Sequence, residues 1–355
     1  MKVGYLNQPW DSSTPSNLGG SIPIWTWEVA RCMASSCEVV VVGRRRVGEA
    51  KRATWEGVRY IRFLRIPSRA DRWLSAPARR LYGLRDVREP WFASSLYQRV
   101  YAIRAARAFR AEACDVVHIH NFSQFVPIVR RLNPRAKIVL HMNCDWLAEL
   151  DREMIDGRLK HADAIIGCSE YVTEKIRARF PHHADRCMTV FNGVDPRQFH
   201  PNGSQPQPSH GGRIVFVGRI SPEKGLHVLL EAFERVAALR PDASLEIIGP
   251  EAVAPAEYIV NLSDDPMVRN LSCFYDGSYL EYLRRRVRGP LVGRVSFAGA
   301  LPHSAVVERL RHADLCVVPS VWPEPFGIPA VEAMATGLAV VTSRVGGLTE
   351  IVEDG

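Results

Sequence analysis

Short β-branched runs alternate with longer amphipathic ones from the first residues of this chain, and no other feature restricts its fold as much. KVGYLN (2–7), CEVVVVG (37–43), VRYIRFL (58–64), DVVHIHN (115–121), KIVLHMN (137–143), ADAIIGCS (162–169) and CMTVFNG (187–193) are apolar and of strand length. Among them lie SIPIWTWEVARCMA (21–34), LYQRVYAIRAARAFRAE (96–112) and EYVTEKIRARF (170–180), which read as amphipathic helices. Strands joined through helices build a parallel sheet covered on both faces, so the expected class is α/β.

The texture changes at NGVDPRQFHPNGSQPQPSHGG (192–212), dense in Gly, Pro, Ser and polar residues, which reads as a domain linker. The alternation then restarts with RIVFVGRI (213–220), KGLHVLLEAFERVAAL (224–239), SLEIIG (244–249), RVSFAG (294–299), AVVERLRHA (305–313), LCVVPS (315–320), PAVEAMATG (329–337) and AVVTSR (339–344). At 355 residues and 46% hydrophobic content the chain exceeds one ordinary core. We therefore expect two Rossmann-like, doubly wound domains, residues 1–191 and 213–355, on either side of the 192–212 linker. Ligands in such folds bind beyond the C-terminal ends of the strands, which predicts an active site in a cleft where the two domains face one another. Residues 251–293 carry little strand signal and one helix-like stretch near Ser278 to Val287, and read as an insertion into the second domain.

The formal charge of +8 is unevenly placed. Between Arg44 and Arg110 stand 18 Lys or Arg against 5 Asp or Glu, so the basic excess belongs to the first domain. Within it, Arg69 to Tyr101 interleaves Arg72, Arg79, Arg80, Arg85 and Arg88 with Trp73, Leu81, Tyr82, Trp91, Phe92 and Tyr97. That mixture suits an anionic acceptor or peripheral contact with an anionic inner membrane face, and it equally describes a solvated basic face over a core. No recognisable nucleic-acid module accompanies it, so no nucleic acid is expected as a partner. No segment approaches the roughly 18 apolar residues of a membrane span. The N-terminus MKVGYLNQPWDSS lacks a secretory apolar region, which predicts a cytoplasmic protein. The eight cysteines form no C-x-x-C pair and read as reduced, mostly core residues.

The chemistry concentrates in PSVWPEPFGIPAVE (319–332). Glu324 and Glu332 bracket a turn stiffened by Pro325 and Pro329, while Gly327 permits close backbone approach to a ligand. Glu332 lies among Ala330, Val331, Ala333 and Met334, where a buried carboxylate needs a polar partner. Arg219 and Lys224 follow the strand RIVFVG, with Lys224 opening a long helix; two cations at a helix N-terminus suit a diphosphate. Gly19 and Gly20, between the first strand and first helix, can let backbone N–H groups reach an anion, though they do not form G-x-G-x-x-G. His141 ends KIVLHM and can hydrogen-bond a sugar hydroxyl or assist proton traffic, while His118 and His120 alternate on one strand and point the same way. The sequence lacks G-x-S-x-G, H-E-x-x-H and any Cys/His cluster in sequence, so neither a serine hydrolase nor metal dependence is expected.

With those residues assembled, the chain resembles the retaining glycosyltransferases of family 4, which have the two-domain GT-B fold. NGVDPRQF (192–199), FVGRISPEKGLHVLLEAF (216–233), VSFAG (295–299), ADLCVVPS (313–320), EPFGIPAVEAMATG (324–337) and VGGLTEIVEDG (345–355) carry the resemblance, and Glu324 and Glu332 match the family's E-x7-E pair. The resemblance implies a donor-binding second domain and an acceptor-binding first domain. It implies that Arg219 and Lys224 bind a nucleoside diphosphate, Glu332 the ribose hydroxyls and Glu324 the donor sugar. Phe326, Gly327 and Ile328 would offer backbone N–H groups; Gly19 and Gly20 match an N-terminal glycine loop, and His141 a histidine near the donor sugar. The implied reaction is metal-free sugar transfer with retention, onto a sugar, lipid-linked or polysaccharide acceptor. Leu338 stands where the family often has Pro. The chain stops at Gly355, where relatives are expected to continue with more strand and helix, including a helix crossing back to the first domain. A non-catalytic nucleotide-sugar-binding protein, a nucleotide-sugar epimerase and a phosphorylase on the same architecture are the alternative readings.

Overall fold

A run such as Val39–Val42 has no polar face to turn toward water, and each of its four valines is at most 1% exposed. It forms the middle of β2 in the computed structural model, which describes residues 1–13, 20–64, 87–201 and 212–354. The chain divides into two units, Met1–Val190 and Phe191–Gly355.

The first unit holds β1 (Lys2–Leu6), β2 (Glu38–Arg45), β3 (Arg52–Trp55), β4 (Val58–Leu64), β5 (Val116–His120), β6 (Lys137–Met142), β7 (Ala164–Gly167) and β8 (Cys187–Thr189). Their order across the sheet is β3-β4-β2-β1-β5-β6-β7-β8. All pairs are parallel except β3 with β4. The helices Ser21–Met33, Arg99–Ala111 and Glu170–Arg179 occupy the three stretches read as helical. The alternation did not reveal β3, a four-residue edge strand joined to β4 through Glu56 and Gly57. Both turn residues have positive φ (46° and 76°), the requirement of the two-residue hairpin turn whose twist matches its strands. The helices Val126–Leu132 and Arg152–Leu159 were also unread, being too short for a helical period to stand out.

The second unit repeats the plan with β9 (Arg213–Val217), β10 (Ser244–Ile248), β11 (Val295–Gly299), β12 (Leu315–Val318) and β13 (Ala339–Thr342), in the order β11-β10-β9-β12-β13, all parallel. Neighbouring residues of β9 serve opposite faces. Phe216 packs with Leu229, Leu230 and Phe233 of the helix Leu226–Leu239, whereas Val215 packs with Val306, Leu310, Ala330 and Ala333. Both units are thus Rossmann-like. In each, strand order reverses beside the first strand, at β1/β5 and at β9/β12, and that reversal opens a crevice at the strands' C-terminal ends.

Residues 251–293 fold as short helical turns around Ala254, Ile259, Val260, Val268 and Leu271. The helix expected near Ser278–Val287 is Tyr279–Arg286, capped by the Ser278 hydroxyl, which accepts from the Glu281 N–H at 3.1 Å. Tyr279 and Leu283 are buried in the core beneath Leu226–Leu239. All eight cysteines are free; Cys32 and Cys273 are exposed, so those two depart from the expected core placement. Among the described residues, no helix is long and apolar enough to cross a membrane. Most of the basic, aromatic segment Arg69–Tyr101 lies outside the described residues, as does Gly19.

Candidate active site

The strand-order reversal of the second unit places the ends of β9 and β12 side by side, and one glycine sets the distance there. Gly225 has φ of 72°, and a Cβ on it would lie 1.8 Å from the Pro319 carbonyl oxygen. Only a residue without a side chain lets the turn after β9 press against the end of β12. Lys224, immediately before Gly225, thereby reaches Glu324, a hundred residues along the chain. Its ammonium donates to Glu324 Oε1 at 2.8 Å and Oε2 at 2.7 Å. Lys224 occupies the turn Pro222–Lys224 that precedes the long helix, not the helix itself.

Glu324 is buried and fully engaged. The Ser320 hydroxyl donates to Oε2 at 2.8 Å and the Trp322 ring N–H at 3.1 Å. Burial by itself would raise the carboxyl pKa; the Lys224 charge, its hydrogen bonds and those of Ser320 and Trp322 outweigh it and hold the group below the ordinary range. Glu324 is therefore a fixed anion, with two of the three ammonium donors of Lys224 committed to it.

Arg219 and Lys224, the two cations expected to bind a diphosphate, are each paired with a carboxylate in this structure. Arg219 donates to Glu223 Oε1 at 2.8 Å and to the Ala252 carbonyl at 2.8 Å. Glu223 is wholly buried and also accepts from the Ser221 hydroxyl, while the Arg219 side chain stays 40% exposed. A buried acid thus grips one edge of the guanidinium and leaves part of it in solvent. Glu332 has the polar partner its setting demanded: His303 Nε2 lies 2.9 Å from Oε1. Burial and the neighbouring Glu332 push the Cys316 thiol up to about 12, so it stays protonated there. The structure joins Lys224 directly to Glu324 and gives Arg219 and Glu332 separate partners. Sequence reading missed Glu223, Ser320, Trp322 and His303. Glu223 stands four residues after Arg219, a spacing that can signal an ion pair; His303 is 29 residues from its partner and left no local sign.

Gly327 has φ of 106° and begins the helix Ile328–Ala335, with Pro329 in its first turn. Phe326 is buried, and Ile328 is the first helical residue, so the N–H groups around Gly327 belong to a helix start, where intrahelical acceptors are absent. The Glu324 carbonyl accepts from the Gly347 N–H at 2.7 Å, tying this turn to the residues after β13.

At the reversal of the first unit, Gly20 has φ of 111° and precedes the helix Ser21–Met33. His141 is buried on β6, and its Nδ1 lies 3.0 Å from His118 Nε2. Burial lowers its pKa to about 4, and burial together with neighbouring rings holds His118 and His120 well below the ordinary value, so all three are neutral. His141 can then exchange a hydrogen bond but cannot store a proton near neutral pH. Asn7, Thr26, Ser13, Gln8, Asn121 and Asn143 form a hydrogen-bonded net beside these rings. Asp11, held by the Gln8 amide at 3.0 Å, is buried strongly enough to lift its carboxyl to about 7.

The comparisons with known proteins agree with this architecture. Residues 23–198 match "Glycosyltransferase Family 4" and residues 203–355 match "Glycosyl transferases group 1". The chain is 25% identical over 355 residues to spore coat protein SA of Bacillus subtilis, covering 96% of this chain and 80% of that protein. It is 29% identical over 272 residues to a lipopolysaccharide 1,2-N-acetylglucosaminetransferase of Salmonella typhimurium, 73% of this chain and 61% of that enzyme. Among solved structures, Anabaena HepE in complex with UDP and glucose superposes with a TM-score of 0.67 at 19% identity, covering 100% of this chain and 84% of that one. Across the curated relatives, the chain spans from 43% to 80% of their length. The two domain matches in tandem, on two Rossmann-like sheets, make this chain a member of the GT-B glycosyltransferases, with a family 4-like domain followed by a group 1 domain.

Proposed function

We propose that this chain transfers a sugar from a nucleoside diphosphate sugar to an acceptor hydroxyl, with retention and without a metal cofactor. The observation that carries the reading is the Lys224–Glu324 pair at the β9/β12 reversal, with Arg219 and Glu332 as flanking binding groups. In HepE the superposing fold holds UDP and glucose, which supports a nucleotide-sugar donor for this chain. Arg219 and the third ammonium donor of Lys224 bind the diphosphate, and the N–H groups of Phe326, Gly327 and Ile328 assist. Glu332, oriented by His303, accepts from the ribose hydroxyls. Glu324 contacts the donor sugar; by the sequence resemblance alone, His141, Gly19 and Gly20 are further candidate donor-binding residues. The acceptor oxygen bonds to the sugar's anomeric carbon on the face from which the diphosphate leaves, and the acceptor proton passes to the departing phosphate oxygen. Cations at the phosphates and a fixed anion at the sugar stabilise that separation of charge. The composition of the basic, aromatic segment Arg69–Tyr101 is compatible with a lipid-linked or polysaccharide acceptor and peripheral contact with an anionic membrane face, and this is the acceptor reading we propose.

Thermal melting against UDP, GDP, ADP, CMP and dTDP without metal tests the donor site, since a ligand at about 100 times its Kd stabilises by roughly 2.7 kcal/mol. One nucleotide should raise the melting temperature of the wild type, and Glu332→Gln should lose most of that shift while remaining folded. A cooperatively melting wild type indifferent to all five would overturn the reading.

A further inference from the structure

Three buried histidines of the first unit meet on one face of its sheet. His118 and His120 alternate along β5, and His120 pairs in register with His141 on the adjacent β6. The ring centroids are 4.9, 5.1 and 5.3 Å apart, and one nitrogen from each ring lies within 4.8 Å of the other two. Nε2 of His141 is buried with no hydrogen-bond partner, although His141 is only 1% exposed. Such an atom forfeits solvation for nothing in return unless a ligand uses it. A His-x-His pair on one strand with a third imidazole on its neighbour is the donor set of a three-histidine metal site.

We propose that His118, His120 and His141 bind one divalent transition-metal ion of the Zn2+ class. Three imidazoles without a carboxylate favour Zn2+, Co2+, Ni2+ or Cu2+ over the oxygen-seeking Mg2+ and Ca2+. Tetrahedral coordination at about 2.0–2.1 Å from metal to nitrogen sets nitrogens roughly 3.3 Å apart. His118 Nε2 and His141 Nδ1, at 3.0 Å, are hydrogen-bond partners in the metal-free site, so the His141 ring has to turn over to present its unpartnered Nε2 to the ion, and nitrogens as far apart as 4.8 Å have to close in by about an ångström or more. Thr26 Oγ1, 3.4 Å from His120 Nε2, supplies a partner for the N–H that a metal-bound imidazole retains. Trp25 packs against all three rings, at centroid distances from 5.0 to 5.6 Å, and has to swing aside for the ion to enter. The ion would occupy the histidine assigned above to the donor sugar, so it acts as an excluding ligand and not as a cofactor. The other cluster, Asp156 with His182 and His183, already has Lys160 Nζ at 2.8 Å from Asp156, a cation that competes with a metal.

The test needs no sugar donor and does not depend on the reaction. The full chain, stripped of metal with chelator, is titrated with Co2+, and the visible absorption of tetrahedral Co2+ is followed. One equivalent should saturate the band, Zn2+ should abolish it, and Mg2+ should leave it unchanged. His118→Gln and His141→Gln should each remove the band, while Asp156→Asn keeps it. X-ray absorption of the Zn2+-loaded wild type reads the ligands even where a variant fails to fold, and three imidazoles are expected. No band in the folded wild type, a band surviving His141→Gln, a band lost in Asp156→Asn, or a ligand shell containing a carboxylate would each overturn the proposal.

Discussion

Replacing Lys224 by alanine leaves the Glu324 carboxylate buried with only the Ser320 hydroxyl and the Trp322 ring N–H as donors. Breaking a buried ion pair by removing one partner costs about 3–5 kcal/mol. The pair keeps some solvent contact, with side chains 18% and 11% exposed, and Glu324 retains two hydrogen bonds, so the lower end applies, about 3 kcal/mol at pH 7. For a unit of this size each kcal/mol moves the melting temperature by about 2–4 °C, which predicts a fall of roughly 6–12 °C. The pH dependence gives the sharper signature. In the wild type the Glu324 pKa is depressed, so its contribution is present above the unfolded carboxylate pKa and is lost as pH falls. Without Lys224, desolvation prevails and the folded pKa rises above the unfolded one, so the variant loses stability as pH climbs through the carboxylate range. The two melting curves should therefore converge on acidification. Lys224→Met combined with Glu324→Gln, which removes both charges while keeping similar volume, should recover to within about 1 kcal/mol of wild type. A Lys224→Ala protein within about 1 kcal/mol of wild type at pH 7, or a gap that widens toward acid, would refute the argument.

Two further perturbations probe other parts of the molecule. His303→Ala should raise the donor KM roughly tenfold, about 1.4 kcal/mol, with a smaller change in kcat, because it releases Glu332 without touching the sugar. His303→Gln, whose amide still donates, should restore part of the affinity; steady-state kinetics showing an equal fall in kcat, or no rescue, would count against the positioning role. Asp11 carries a folded pKa of about 7 against an ordinary 3.8, so it takes up a proton on folding and costs stability progressively as pH rises between those values. Asp11→Asn should therefore melt several degrees higher than wild type at pH 8, with that gap reduced by about half or more at pH 5; a difference independent of pH would mean that Asp11 is not the buried acid inferred.

Architecture was the part most readable without coordinates. Valine runs such as Val39–Val42 can satisfy neither face in water, so they announce a covered parallel sheet, and the polar stretch after Asn192 lies close to the division at Val190 and Phe191. What escaped was short or edge-bound: β3, with four residues and a hairpin turn at Glu56–Gly57, has too little length for a period to register.

The candidate site divides along a different line. Glu324, Gly327 and Glu332 were visible because turn chemistry and an acid in an apolar helix are local properties of fourteen consecutive residues, Pro319 to Glu332. Their partners were not. Lys224 meets Glu324 across a hundred residues because Gly225 lets one backbone close on another, and the histidine that holds Glu332 comes from a separate helix. The same holds for the three imidazoles on β5 and β6, where His-x-His is plain in the chain but the third ring arrives only through strand register. Sequence alone determined which segments must be buried and which turns must be rigid, since those follow from the nearest neighbours of each residue. Tertiary structure decided which charges neutralise one another and which polar atoms remain unsatisfied, because both depend on distances that close only when remote segments pack.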